Sequence, residues 1–161
     1  MILFNWHSAI DWDDVPYSKM EFPPTIKDDP GIYFFSRKNR NGDYEPFYVG
    51  KAKRIKTRLS QYVCSTGKHE TKIRKYIETK KGRLGKSDAL IGKRYFHFGY
   101  VAHEAWVHDF RQILRAERAL LHYFVLMGYD LVNSHNQPKS SFEMSGSKYK
   151  ELLPDILQSI S

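Results

Sequence analysis

Six side chains in the 161-residue sequence have the types and spacing to act on a phosphodiester bond: Tyr33, Tyr48, Lys51, Arg58, Tyr62 and Glu117. Hydrolysis of that bond needs an activated water, neutralisation of the charge on the phosphoryl oxygens, and help for the leaving oxygen. Tyr33 and Tyr48 fall in two strand-like runs, so paired strands would present two hydroxyls to one point. Arg58 and Tyr62 are four apart in a helical segment and so share a face, about 40° from alignment. Lys51 follows Gly50 and opens that helix, where backbone N–H groups also attract phosphate. Glu117 carries the hard oxygen that Mg²⁺ requires.

Each of these residues also has a plainer reading. Neighbouring tyrosines on paired strands usually pack against each other. An arginine and a tyrosine on one helix are commonly a surface charge and a core-edge ring, and Lys51 is solvated about as often as it is used. Glu117, flanked by Arg115 and Arg118, would on its own be read as half of a surface ion pair.

The elements that must position these groups are legible in the chain. Gly31-Ile32-Tyr33-Phe34-Phe35 is β-branched and aromatic behind Pro30, and Asn41-Gly42 is a turn signal before the run from Tyr44 to Gly50. This predicts a hairpin with a connection longer than two residues. Ala52 to Tyr62 reads as a helix with Ile55, Leu59 and Tyr62 on one face. A third strand is expected at Tyr95 to Val101. The longest helix is expected from His108 to Met127, with Phe110, Ile113, Leu114, Leu120, Leu121 and Phe124 as its apolar stripe and Gly128 as its stop. Residues 1–29 read as an ordered but irregular arm. A polar stretch from Ser134 leads to a short helix from Tyr149 to Ile160. The fold class is α+β: a small, mainly antiparallel three-stranded sheet flanked by helices. Residues 1–161 form one domain, with a core at 30–133, an inserted basic segment at 64–94 and a C-terminal extension at 134–161.

Charge is concentrated in that insertion. The chain carries a formal +8 at pH 7, and residues 64–94 hold ten basic side chains against three acidic ones. A field of that sign favours a polyanion such as nucleic acid, or an anionic membrane surface, and the plainer reading of the segment is a solvated helix with a loop. Lys72, Arg74, Lys75, Lys80, Lys81 and Arg83, with Lys53 and Arg54 after the second strand, are the expected DNA-binding side chains. Cys64 is the only cysteine, which excludes an internal disulfide and a cysteine-built metal site. Neither a long apolar run nor a secretion signal is present, so a cytoplasmic protein with no membrane partner is expected.

Other candidates weigh less. His103 and His108 are five apart, and a zinc-protease helix needs four. Asp11, Asp13 and Asp14 are expected to be solvated surface charge. His69 and His97 read as surface or core-edge histidines before they read as bases. His135 and Asn136 fit an Asx-type turn as well as a DNA contact.

Gly31-Ile32-Tyr33 followed by Tyr48-Val49-Gly50 resembles the two half-motifs of the GIY-YIG nucleases. Tyr48-Val49-Gly50-Lys51-Ala52-Lys53, then Arg58 and Tyr62, is similar to the N-terminal nuclease domain of the excision-repair incision subunit. Ala116-Glu117-Arg118-Ala119-Leu120-Leu121 resembles that family's glutamate helix, and Asn133 stands near its closing asparagine. The resemblance spans about residues 30–133. The separation of Tyr33 and Tyr48 is slightly longer than in compact members, and the basic segment is long, as in the restriction-enzyme branch.

The resemblance implies a GIY-YIG fold and a DNA endonuclease using Mg²⁺, with Mn²⁺ able to substitute. Glu117 would bind the metal, Tyr48 or Tyr33 would position or deprotonate the water, and Arg58 would neutralise the phosphate. Lys51 and Tyr62 would assist, and Asn133 would hold the site wall. A type II restriction-like enzyme, as a homodimer where both strands are cut, is the leading expectation. A structure-specific repair or phage nuclease and a non-catalytic nucleic-acid-binding module are the alternatives.

Overall fold

The computed structural model describes residues 4–16, 19–39, 41–64, 67, 73, 94–102 and 104–132. At its centre are β3 (Gly31–Lys38), β4 (Tyr44–Ala52) and β5 (Arg94–Val101), all antiparallel, with β3 in the middle. The predicted hairpin is β3–β4. Its loop is organised by Asn39, whose Oδ1 accepts from the amides of Asn41 (2.9 Å) and Asp43 (3.0 Å). Gly42 turns the chain at φ +85°, a conformation that costs other residues a Cβ clash.

The arm is more regular than its composition suggests. β1 (Phe4–Trp6) and β2 (Ile10–Asp11) both pair antiparallel with β5, so the three-stranded core extends to five strands. Asp11 also accepts from the Asp13 amide at 3.0 Å, capping a single 3₁₀ turn, Trp12–Asp14. Those aspartates serve local structure.

β3 is covered on both faces, which explains its unbroken apolar run. Ile32 and Phe34 pack with Phe4 and Val49 against α3 (Phe110–Leu126), through Ile113, Ala116, Leu120 and Phe124. Tyr33 and Phe35 face the other way, into a cluster of Phe47, Tyr48, Phe96 and Phe98 with Ile55, Leu59 and Tyr62 of α1 (Ile55–Cys64). Between β5 and α3 lies one turn, α2 (Glu104–Val107). His97 is fully buried, stacked on Phe34 (4.2 Å between ring centroids) and hydrogen-bonded to Ser36 (2.7 Å); it is a core residue.

A β-bulge sets the tyrosine face. Phe35 pairs with Tyr48 but Ser36 pairs with Pro46, leaving Phe47 as the extra residue. Phe47 and Tyr48, adjacent in sequence, therefore bury on the same side.

One expectation is corrected. Lys51 does not open the first helix: β4 stays paired with β3 through Ala52, and α1 starts at Ile55. The first amides of α1 are already satisfied from residues 27–29. Ile55 donates to the Asp29 carbonyl, Lys56 to the Lys27 carbonyl, and Thr57 to Asp28 Oδ1 at 2.7 Å. A helix start capped from within offers no phosphate cradle. The expected terminal helix and most of the basic insertion lie outside the described residues. No helix among the described residues is long and apolar enough to cross a membrane.

Candidate active site

Tyr33 and Tyr62 come from β3 and α1, and their hydroxyls meet at 2.7 Å inside the core. Arg58, one turn before Tyr62, donates from Nε to the Tyr33 hydroxyl at 3.3 Å, and its guanidinium lies 5.2 Å from the Tyr62 ring centroid. Arg58 Nη1 also donates to Gln61 Oε1 at 2.9 Å. Tyr48 completes the group: its ring centroid is 6.5 Å from that of Tyr33 and 6.3 Å from that of Tyr62, and its hydroxyl bonds with Tyr62. Gly50 sits opposite Tyr33 on β4, and a Cβ there would run into the Tyr33 ring and hydroxyl. The glycine is needed for the tyrosine to lie flat across the strand.

Burial decides how these hydroxyls behave. Tyr33 is 1% exposed and Tyr62 0%, against 7% for Tyr48. Desolvation pushes the Tyr33 phenol well above its ordinary range, and the neighbouring Tyr48 adds to this against the opposing pull of Arg58. Burial does the same to Tyr62, reinforced by Tyr33 and Tyr48. Both stay neutral at physiological pH. For Arg58, burial works against the charged form, but Tyr33, Tyr62 and Tyr48 outweigh it, so its pKa lies above even the usual arginine value.

Lys51 and Glu117 form a second pair. Lys51 stands opposite Ile32, hence on the α3 side of the sheet, and its Nζ is 3.2 Å from Glu117 Oε2. The Glu117 side chain is only 14% exposed and that of Lys51 26%. Desolvation raises the Glu117 pKa, while Lys51, then Arg118 and Arg58, act to lower it. The influence of Arg58 links the two groups. The carboxylate–lysine pair lies on one face of the sheet and the tyrosines on the other, either side of β4, which is an edge strand among the described residues.

Lys53 and Arg54 are exposed in the turn between β4 and α1. Asn133, Lys72, Arg74, Lys75, Lys80, Lys81 and Arg83 lie outside the described residues, as do His69, His135 and Asn136. Sequence reasoning missed Gln61, although its i+3 spacing from Arg58 was readable. It also missed Asp28, whose contact with Thr57 spans 29 residues and has no local signal.

Residues 29–82 match the model of the UvrC-like GIY-YIG domain. That segment is similar to a GIY-YIG domain. The match covers about a third of the sequence and includes β3, β4 and α1. No curated protein and no solved structure matches. A GIY-YIG domain implies nuclease activity in general, and the antiparallel sheet with its flanking helices agrees with that fold. Glu117 lies beyond the matched segment, so its part in the site rests on its ion pair with Lys51 and on the charge of Arg58.

Among the described residues no group of three histidine, cysteine or acidic side chains could hold a metal. Glu117 fits a divalent ion differently. It is a hard oxygen donor, desolvated, with Lys51 on Oε2, and one carboxylate completed by waters and substrate oxygens is an ordinary Mg²⁺ shell.

Proposed function

We propose that this chain is an Mg²⁺-dependent endonuclease, restriction-like in organisation, that hydrolyses DNA phosphodiester bonds at the edge of β4. What supports this reading is a desolvated carboxylate–lysine pair that feels the charge of an arginine held by the buried Tyr33 hydroxyl. A binding module has no use for a buried glutamate at that point.

Glu117 would hold the ion, Mg²⁺ or Mn²⁺, which when bound supplies Lewis-acid neutralisation of the phosphate and the leaving oxygen. Lys51 balances the Glu117 charge, opposing the desolvation that favours the neutral acid. Arg58 neutralises the phosphate from the other side, its guanidinium fixed by Tyr33 and Gln61 before substrate arrives. Tyr48, the most exposed of the three tyrosines, positions the attacking water and takes its proton. Tyr33 and Tyr62, held neutral by burial, orient Tyr48 and Arg58 and do not serve as bases.

Plasmid, single-stranded DNA and RNA, each incubated with Mg²⁺ or with EDTA, test the reading. Cleavage of plasmid with Mg²⁺ and its loss in Glu117→Gln are expected, with DNA binding retained. Mg²⁺ should also raise the melting temperature of the wild type and not of Glu117→Gln, because only a bound ion stabilises the folded state. Plasmid cleavage persisting in excess EDTA would falsify the metal assignment. RNA cut in preference to DNA would reassign the substrate, and no cleavage of any substrate favours the binding module.

A further inference from the structure

The helix that carries Glu117 has a second charged surface. On the 100° wheel of α3, Ile113, Ala116, Leu120 and Phe124 point to the sheet, while Arg111, Arg115 and Arg118 fall within about 60° of one another on the opposite side. All three are exposed, the Arg111 side chain at 89%. The only acidic residue in α3 is Glu117, which turns to Lys51, so the outer face of the helix has no carboxylate of its own. Among the described residues Arg115 and Arg118 have no ion-pair partner, and Arg111 meets only Asp109, at 3.7 Å.

The stripe is continuous with the turn after β4. Lys53 Nζ lies 5.1 Å from the Phe110 ring centroid and Lys51 Nζ 5.7 Å, which brings the basic turn against the first residue of α3, next to Arg111. A solvated helix face normally mixes both signs. A single-sign row on the helix that carries Glu117 fits a polyanion. From Arg111 to Arg118 the row runs about 10 Å along the helix axis, or about three nucleotide steps of one strand. The large apolar side chains exposed among the described residues are Met20, Val107, Leu126 and Met127, with no aromatic ring among them. Among the described residues the surface can therefore hold phosphates but has no platform for stacking bases.

We infer that the outer face of α3, with the Lys53–Arg54 turn, grips the phosphate backbone of the substrate beside the scissile bond; the inference rests on the nuclease reading. The surface holds substrate through charge alone, so its contribution is salt-dependent and indifferent to base sequence.

The test is binding of a duplex oligonucleotide in EDTA at several salt concentrations, comparing wild type with Arg111→Gln/Arg115→Gln/Arg118→Gln. The log–log salt slope should fall by about three, roughly one per phosphate contact removed, and affinity near 0.1 M salt by about tenfold or more. The triple lysine variant should keep the wild-type slope. The melting temperature should not change, since these side chains are solvated; if the triple glutamine variant fails to fold, each single variant should still lower the slope by about one. An unchanged slope in a protein that still cleaves plasmid overturns the surface and leaves the nuclease reading intact. A lowered slope in the variant, where the wild type cleaves nothing, keeps the surface as a nucleic-acid contact and overturns the nuclease reading.

Discussion

Tyr33, Tyr48 and Tyr62 share one environment, and on the proposed reading exposure divides their tasks: Tyr33 and Tyr62 are sealed in the core, while Tyr48 is the least covered of the three. Tyr33 bonds to both Tyr62 and Arg58, so Tyr33→Phe leaves the buried Tyr62 hydroxyl and the half-buried Arg58 guanidinium each one partner short. It should cost about 1–3 kcal/mol of stability. Tyr48→Phe should leave the melting temperature closer to the wild-type value while slowing cleavage by about 10²-fold or more, as loss of a positioned proton acceptor does. Thermal melts paired with single-turnover rates check this. A fast Tyr48→Phe beside a folded but inactive Tyr33→Phe would reverse the two roles.

At the scale of elements, the site depends on how β4 and α1 are held. Arg58 and Tyr62 both ride on α1, whose first turn is tied to residues 27–29 through Asp28 and Thr57. Asp28→Ala should cost about 1 kcal/mol as a lost helix cap, with turnover nearly unchanged at temperatures where the protein is folded. Gly50→Ala should behave otherwise. Its Cβ meets the Tyr33 ring, so either the strand or the tyrosine must shift, and turnover should fall even in fully folded protein. Rates measured well below each variant's melting temperature separate the two effects. Wild-type turnover in Gly50→Ala would mean that the fit of Tyr33 over β4 is not needed for catalysis.

For the whole molecule, the buried Glu117 is a cost that depends on pH. Its folded pKa is raised above the ordinary 4.5 by desolvation, against the pull of Lys51, Arg118 and Arg58. Its contribution to stability is therefore fully present below the unfolded pKa and is lost as pH rises through the folded one. In EDTA, the melting temperature of the wild type relative to Glu117→Gln should fall as pH is raised from about 4 to about 8. Other groups titrate alike in both proteins, so the difference isolates Glu117. A rising difference would mean that the attraction of Lys51 outweighs desolvation.

The three central strands and the two main helices were readable in the sequence because their apolar periods of 2 and 3.6 are local signals, and Arg58 and Tyr62 were joined by helical spacing alone. The addition of β1 and β2 to β5 was not readable, since short strands declare themselves only through a partner about 90 residues away. Nor was the bulge at Phe47, which turns two consecutive side chains to one face, or the end of β4 beyond Lys51, which is set by its ladder with β3. The sequence by itself determined which groups could act: tyrosines, an arginine, a lysine and a glutamate in a fixed order. Only the tertiary structure decided which of the tyrosines is nearest solvent and that Glu117 faces Lys51, because burial and charge proximity are set by packing between segments far apart in the chain.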